Sequence, residues 1–385
     1  MPRNRVIYQS EGLYVGKDAS LGAAKDHEQL NRVQSANYSF TINRQDVNQF
    51  GDLARIDSLV LDPPTVNLDF SYYLTDGFNE RALGFFVQNS GASTKTQRGV
   101  LAGTDTSGNF ASGHLTSNSG VNFFIVTSPD GEDLNKDTPA ALNGLDSSIG
   151  VGNCYISDYS VDLSVGSLPT VNVTVEGANM RSVAGQIATG SPAVNQENGE
   201  PLTTEIQLPN PSKNGLIESE GGSITALRPG DVTLDLDDVD GESLIKLDNT
   251  DGAHIQSASI SLPLSRSPID RLGSRFPFAR EVDFPVNATM NISAIVANSK
   301  AASLADILNS GVQEATITIK DHNTTQRDAI KYTMKGLKID SQSFSSSIGS
   351  NKTVDITFST QIGGPNDAIN GVFMSGAGFN PVFQA

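Results

Sequence analysis

The sequence predicts a mainly β protein made of two tandem copies of one domain, and three observations lead there. First, one stretch is stated twice: Val33 to Gly51 reads VQSANYSFTINRQDVNQFG, and Ile255 to Gly273 reads IQSASISLPLSRSPIDRLG. In that gap-free frame Gln34-Ser35-Ala36 returns as Gln256-Ser257-Ala258, and Ser39, Arg44 and Gly51 fall on Ser261, Arg266 and Gly273. Tyr38/Ile260, Phe40/Leu262, Ile42/Leu264 and Phe50/Leu272 keep their apolar character. Second, Ile156 to Val175 matches Ile339 to Phe358 without a gap, with Ser164-Val165-Gly166-Ser167 over Ser347-Ile348-Gly349-Ser350 and Thr170-Val171 over Thr353-Val354. Two frames in the same order make the repeated unit a domain. Third, apolar and polar residues alternate with the period of strands buried on one face: Tyr38, Phe40, Ile42 against Ser39, Thr41, Asn43, and Val66, Leu68, Phe70 against Asn67, Asp69, Ser71.

Taken in order, residues 7 to 16 read as a first strand, with Leu227 to Leu236 as its counterpart. The strand Tyr38 to Asn43 follows. Pro263 in the second copy lacks an N–H and points to an edge position or a bulge. Arg55 to Leu61 and Thr65 to Leu74, divided by Pro63-Pro64, are expected to form the next strand pair, matched by Phe276 to Val296. A helix is expected in each half. In the second, Ala301, Leu304, Ala305 and Leu308 follow the helical period after Asn298 and Ser299; in the first, Asp76 can cap a shorter helix carrying Phe78, Ala82 and Leu83. The first half then inserts Phe86 to Gly120, rich in Gly, Ser, Thr and Asn, which reads as a surface loop. The strands Val121 to Thr127 and Ala315 to Lys320 come next, then the repeated hairpin that begins in the first half at Cys154 and ends at Glu176. These readings divide the chain into a first domain over 1–183, a Pro/Gly/Asn-rich linker over 184–222 and a second domain over 223–385.

The composition is that of a globular protein, with 37% hydrophobic residues and 36 glycines in 385 residues. A single cysteine excludes a disulfide framework, and Cys154, at the start of a predicted strand, reads as a small buried thiol. A net charge of −17 argues against gripping nucleic acid through its phosphates. The N-terminus MPRNRVIYQS has no apolar run behind its basic residues, and no stretch has the length of apolar sequence a membrane helix needs, so a cytoplasmic site of synthesis is expected. His27, His114, His254 and His322 are far apart and read as solvated loop residues. Asp238-Val239-Asp240-Gly241 fails the calcium-loop frame, because Leu236 and Leu247 fall where carboxylates are required. With no nucleophile elbow, phosphate loop or dinucleotide fingerprint, neither an enzyme nor a cofactor is expected.

At the QSA stretch and the strands after it, QDVNQFGDLARIDSLVLDPPTVNLDFSYYLTDG, the sequence resembles the major tail (tail tube) proteins of long-tailed bacteriophages. The resemblance covers most of both halves and rests on structural motifs, with no catalytic residue among them. It implies a β-sandwich or half-barrel domain with one flanking α-helix, whose copies join edge to edge into rings that stack into the channel for DNA ejection. Most such subunits carry one domain and form six-membered rings. Two domains in one chain imply the fused-tandem kind, with trimeric rings of pseudo-sixfold symmetry. The implied partners are the chain itself, the tape-measure, tail-terminator and tail-tip proteins, and genomic DNA in transit; the implied location is the virion tail, assembled in the host cytoplasm, with no membrane partner. Either the 86–120 insert or the 184–222 linker is expected to reach a neighbouring ring.

The polar faces of the strands are expected to line that channel: Ser39, Thr41, Asn43; Asn67, Asp69, Ser71; Asn172, Thr174, Glu176; Asn287, Thr289, Asn291; and Asp355, Thr357, Ser359. None is Lys or Arg. Duplex DNA carries one negative charge per roughly 1.7 Å, and each cation that touches it adds a salt-dependent hold, so a conduit is best lined without them. Two rival classes would leave other marks. A fibre or adhesin would show a secretion signal or a trimeric stalk; a glycan-binding module or glycan-active enzyme would cluster exposed aromatics and paired carboxylates, whereas Trp is absent.

Overall fold

The computed structural model describes residues 10–16, 27–89, 109–116, 120–128, 147–184, 227–236, 254–277, 279–296, 313–320 and 328–376, with short pieces at 133–134, 194, 199–201, 208–209, 211, 303–304 and 307. The chain is mainly β. In the first half the strands are β1 (Glu11–Gly16), β2 (His27–Gln29), β3 (Val33–Thr41), β4 (Arg44–Val47), β5 (Asp57–Val60), β6 (Thr65–Tyr73), β7 (Gln88–Asn89), β8 (Val121–Thr127), β9 (Ser147–Ser164), β10 (Thr170–Gly177) and β11 (Asn179–Ala184), with short helices α1 (Phe78–Leu83) and α2 (Ser112–Thr116). The second half has β12 (Val232–Asp235), β13 (His254–Pro263), β14 (Arg266–Ile269), β15 (Ala279–Val282), β16 (Val286–Ile295), β17 (Gln313–Lys320), β18 (Asp328–Ser345), β19 (Thr353–Ile362) and β20 (Gly371–Gly376).

One hydrogen-bonded path runs β3-β6-β10-β9-β13-β16-β19-β18-β17-β12. The long strands β9 and β18 each serve two ladders. The first part of β9 pairs with β8 and β11 and its last part with β10 and β13; the first part of β18 pairs with β17 and β20 and its last part with β19. In the first half the ladders pack face to face, Phe70 of β6 meeting Phe123 of β8 at 5.7 Å between ring centroids. The core they enclose is continuous with the one formed by Met290, Ile317, Tyr332 and Phe358 in the second half.

The pairing recurs residue by residue. β3 pairs β6 with Ser35 opposite Ser71, and β13 pairs β16 with Ser257 opposite Ser293. Thr170 stands opposite Tyr73 and Thr353 opposite Ile295; Arg44 faces Val60 in one two-stranded hairpin and Arg266 faces Val282 in the other. Even the irregularities repeat: Gln34 and Gln256 are the extra residues where β3 and β13 slip register, and Ser157 and Asp340 where β9 and β18 do. An extra residue bends and re-aims a strand, which suits long strands that pass from one ladder to the next.

Several expectations are corrected. The stretch around β5 does not pair with β6; β5 pairs with β4 in a separate hairpin, because Pro63-Pro64 cannot continue a ladder and β6 takes its partners from β3 and β10. Asn43 lies beyond the end of β3, where the chain leaves the sheet to start that hairpin. Pro263 is not on an edge: it closes β13 opposite Asp158 of β9, past the last pair of the β16 ladder, so its missing N–H interrupts nothing there. Cys154 sits inside β9, not at its start. The ends of the 86–120 insert are not surface loop: Phe86, Val87, Phe110 and Ala111 are buried, β7 pairs in parallel with β20, and the Phe110 N–H donates to the Val372 carbonyl at 2.7 Å. His27, in β2, and His114, in α2, are buried rather than solvated. Most of the second expected helix, residues 90–108 of the insert, most of the linker and the acidic turn around Asp238 lie outside the described residues.

Candidate assembly interface

The two halves meet strand to strand. β13 adds to the last part of β9 in antiparallel register from Ser257 opposite Ser164 to Pro263 opposite Asp158. The N–H of Val165 donates to the Gln256 carbonyl at 3.0 Å at one end, and that of Leu264 to the Ser157 carbonyl at 2.8 Å at the other. On one face the joint buries Ala258, Ile260 and Leu262 beside Leu163, Val161 and Tyr159. Each large apolar side chain so buried contributes about 1.5–3 kcal/mol. The β14–β15 hairpin clasps the joint from the side. Arg266 lies over the Tyr155 ring at 4.7 Å and donates to the His114 carbonyl, and Arg280 reaches Glu176 at 3.5 Å.

A polar cluster sits under the joint. The Tyr72 hydroxyl donates to Glu80 Oε1 at 2.8 Å, the Tyr159 hydroxyl to the same oxygen at 3.3 Å, and the Tyr159 and Tyr332 hydroxyls share a hydrogen bond of 2.9 Å across the halves. Glu80 belongs to α1, every residue of which is buried; Asp76 accepts from the Phe78 N–H at 3.2 Å, while Gly77 takes the left-handed N-cap conformation with φ 87°. Burial pushes the Glu80 carboxyl up to about 7, and that of Glu28 also to about 7 against the opposing pull of Arg81. Burial holds the hydroxyls of Tyr72, Tyr159 and Tyr332 well above the usual tyrosine range and pushes the Cys154 thiol up, while it pushes the His114 imidazole down to about 3, helped by Arg266. Glu80, Tyr72, Tyr159 and Tyr332 are all buried, and their hydroxyls and carboxyl hydrogen-bond to one another. Among the described residues no group of three or more His, Cys, Asp and Glu is placed to hold a metal ion.

At its two ends the same sheet carries strands that lack the joint. Among the described residues, β18, the counterpart of β9, pairs along its last part with β19 alone, and β3, the counterpart of β13, pairs with β6 alone. The apolar face is accordingly open. Phe40 is 62% exposed where its counterpart Leu262 is 0%, and Phe344 is 44% exposed where Val161 is 0%. Two further pairs of apolar residues project at loop tips in both halves: Phe50 at 108% and Leu272 at 103%, and Val165 at 71% and Ile348 at 107%.

The residues expected to line a channel share one face, Asn43 apart. Across the sheet Ser71 stands opposite Asn172, Asn172 opposite Ser160, Ser160 opposite Ser261, Ser261 opposite Thr289 and Thr289 opposite Ser359. Ser39, Thr41, Asp69, Asn172, Asn287, Asn291 and Asp355 are exposed, and Asn67, Ser71, Thr174, Glu176, Thr289, Thr357 and Ser359 half-buried. Asn172 donates to Asp162 at 3.0 Å and Thr357 to Asn291 at 2.9 Å. Two features escaped the sequence reading. Lys338 stands exposed opposite Ser359, placing one cation at the border of this face, and Arg280 partly covers Glu176 at the other border. The repeated arginine at Arg44 and Arg266 was a signal for the clasp; no signal marked Glu80 or the tyrosines that reach it.

No family model matches the chain, and no curated protein does. Among solved structures, the crystal structure of a type VI secretion system effector from Yersinia pestis aligns over 38% of this chain and 99% of its own, with 11% identity and a TM-score of 0.20. No helix among the described residues is long and apolar enough to cross a membrane.

Proposed function

We infer that the chain is a structural subunit that polymerises with copies of itself, the tail tube protein of a long-tailed bacteriophage, with two fused tube domains in one chain. The observation that carries the reading is the sheet joint that is made once inside the chain and left open at both ends of the same sheet. An open sheet edge with apolar residues beside it is a liability unless it is used, and head-to-tail pairing uses both edges at once. The recurrence of the β3–β6, β6–β10, β9–β10 and β4–β5 ladders as β13–β16, β16–β19, β18–β19 and β14–β15, with matched slips at Gln34 and Gln256 and at Ser157 and Asp340, supports two tandem copies of one domain, and the resemblance of the QSA stretch and the strands after it supports the tube. A heterologous joint of this kind closes into a ring when its rotation divides a full turn. Three chains then give six domains around a channel, and stacked rings give a tube. The continuous polar face supplies a lining without dense positive charge, through which DNA passes without specific binding. The role is structural and not enzymatic, with no cofactor, in a virion tail.

Electron microscopy of the purified protein tests this. Rings or tubes with a central hole and three chains per ring are expected. A monomer at all concentrations, or a fibre without a lumen, would overturn the reading, and six chains per ring would overturn the trimer.

A further inference from the structure

The geometry points to the register of the contact between copies: β18 of one copy adds antiparallel to β3 of the next with Ser35 opposite Ser347, Tyr38 opposite Phe344 and Thr41 opposite Ser341. The inference rests on the assembly reading above and makes it residue-specific. It follows from the internal joint. There Ser257 faces Ser164, Ile260 faces Val161 and Pro263 faces Asp158. Ser35, Tyr38 and Thr41 hold on β3 the places those residues hold on β13, and Ser347, Phe344 and Ser341 hold on β18 the places of the β9 partners, as the matched ladders require.

Three properties of the open edges fit that register. The faces agree: Ala36, Tyr38 and Phe40 join Phe344 on the apolar side, while Ser35, Asn37, Ser39 and Thr41 meet serines on the polar side, so the face that would line a channel continues from copy to copy. Phe344 is held on the apolar side by its pairing with Val354, so a slip of one residue would turn the polar side chains of β3 onto that side. The bulges agree as well. Asp340 leaves its carbonyl where Ser157 accepts from Leu264 in the internal joint, which assigns it the N–H of Ile42; likewise the Gln34 carbonyl is assigned the N–H of Ile348. Finally, β9 runs on to Ser164, paired there by β13 beyond the end of its β10 ladder at Asp162, whereas β18 ends at Ser345, two residues short of its counterpart position at Ser347. A partner strand supplies the missing ladder, so Ser346 and Ser347 are expected to join β18 on assembly.

The joint between copies is less apolar than the one within the chain. Leu163 is replaced by Ser346 and Tyr159 by Gln342 at the matched places, and the aromatic pair Tyr38–Phe344 carries the contact. The internal joint therefore holds while copies exchange.

The test places cysteines at Ser39 and Ser343, which this register sets directly opposite, within the reach of a disulfide. The register control places them at Asn37 and Ser341, four residues out of step. Mild oxidation of assembled protein should give covalent multimers with Ser39→Cys/Ser343→Cys and little with the control; native Cys154, buried in β9, takes no part. Rings that cross-link through the control pair instead, or through neither, would overturn the register and leave the assembly standing. A protein that remains monomeric would overturn both. Hydrogen exchange on the unaltered protein gives a second readout independent of any variant: assembly should slow the amides of residues 35–41 and 341–347 and leave those of 158–164 unchanged. Equal protection of both open edges before and after assembly would count against the contact.

Discussion

The hydroxyls of Tyr159 and Tyr332 lie 2.9 Å apart, 173 residues from one another along the chain, and each side chain is fully buried. Tyr159 projects from β9 and Tyr332 from β18, so this bond ties the two strands that each serve two ladders. Phe110 packs against both rings, at 5.1 and 6.3 Å, and stacks on Phe85 at 4.3 Å. Removing the hydroxyl alone, in Tyr332→Phe, should lower stability by about 1 kcal/mol, whereas Tyr332→Ala should cost about 3–5 kcal/mol through the cavity it opens. Chemical denaturation measures both. Equal losses for the two variants would show that the hydrogen bond, not the packing, dominates.

The same cluster makes stability depend on pH. Glu80 and Glu28 are pushed up to about 7 from an ordinary value of 4.5. A carboxyl whose folded pKa lies above its unfolded value holds its proton more tightly in the folded chain. Its contribution is complete below the unfolded value and is lost as pH rises through the folded one. For Glu80 the window runs from about 4.5 to about 7, with an upper size of about 3 kcal/mol. Glu80 Oε2 has no hydrogen-bond partner among the described residues, so no donor at that oxygen favours the charged carboxylate. The thermal midpoint should therefore fall between pH 5 and pH 8, and Glu80→Gln should flatten that fall. An unchanged slope in the variant would mean that Glu80 is ionised in the folded protein throughout.

Much of the fold was legible because a strand buried on one face repeats every two residues, and that period survives in Val66, Leu68 and Phe70 or in Val171, Val173 and Val175. The joint was not legible, and the reason is physical. Ala258, Ile260 and Leu262 at the joint and Ala36, Tyr38 and Phe40 at the open edge have the same pattern, and the period of apolar residues does not tell a strand paired on both sides from one paired on a single side. The insert was misread because its average composition hides Phe86 and Phe110, and one aromatic at each end is enough to anchor it. An isolated histidine carries no periodicity, so nothing distinguished the buried His27 and His114 from the exposed His254.

The repeated apolar tips offer a test of the proposed stacking of rings. Phe50 and Leu272 project beside Gly51 and Gly273, which hold left-handed conformations with φ 99° and 85°, and a Cβ added at either glycine meets nothing within 4 Å. Fully exposed apolar side chains at matched tips of both halves are surplus to the fold. Phe50→Ser with Leu272→Ser should change thermal stability by less than about 0.5 kcal/mol, because no folded contact is lost. Tubes should become shorter or dissociate into single rings. Full-length tubes from the double variant would remove these tips from ring-to-ring contact.

Among the described residues the linker is tied to the first half at Val194 and at Gly199, whose carbonyl accepts from Asn179 Nδ2 at 2.9 Å, and the first of these ties can be broken. Val194 is buried against Gly152, its carbonyl accepts from Asn122 Nδ2 at 2.8 Å, and a Cβ at Gly152 would lie 2.1 Å from that of Val194. Gly152→Ala must push Val194 out, with a cost of about 1–3 kcal/mol for overpacking. Limited proteolysis should then cut near Val194 in the variant more readily than in the parent. An equal rate of cutting would show that the contact does not hold the linker.

The proposed channel lining makes the sharpest demand on charge. Asp69 is exposed between Asn37 of β3 and Thr174 of β10, and Asn172 is exposed between Ser71 and Ser160, so both stand well inside the polar face and away from Lys338 at its border. A lysine at either place loses little in folding energy, since it exchanges one solvated side chain for another. Repeated around a ring and along a stack, it becomes a helical array of cations, and each contact with phosphate adds to the hold on DNA and to its salt dependence. Asp69→Lys and Asn172→Lys tubes should assemble and should release DNA more slowly at low salt, with the parent rate approached as salt rises. If those side chains face outward in the assembled tube, or if ejection keeps its rate and salt dependence with lysine in place, then the polar face is an exterior surface and the channel is lined by something else.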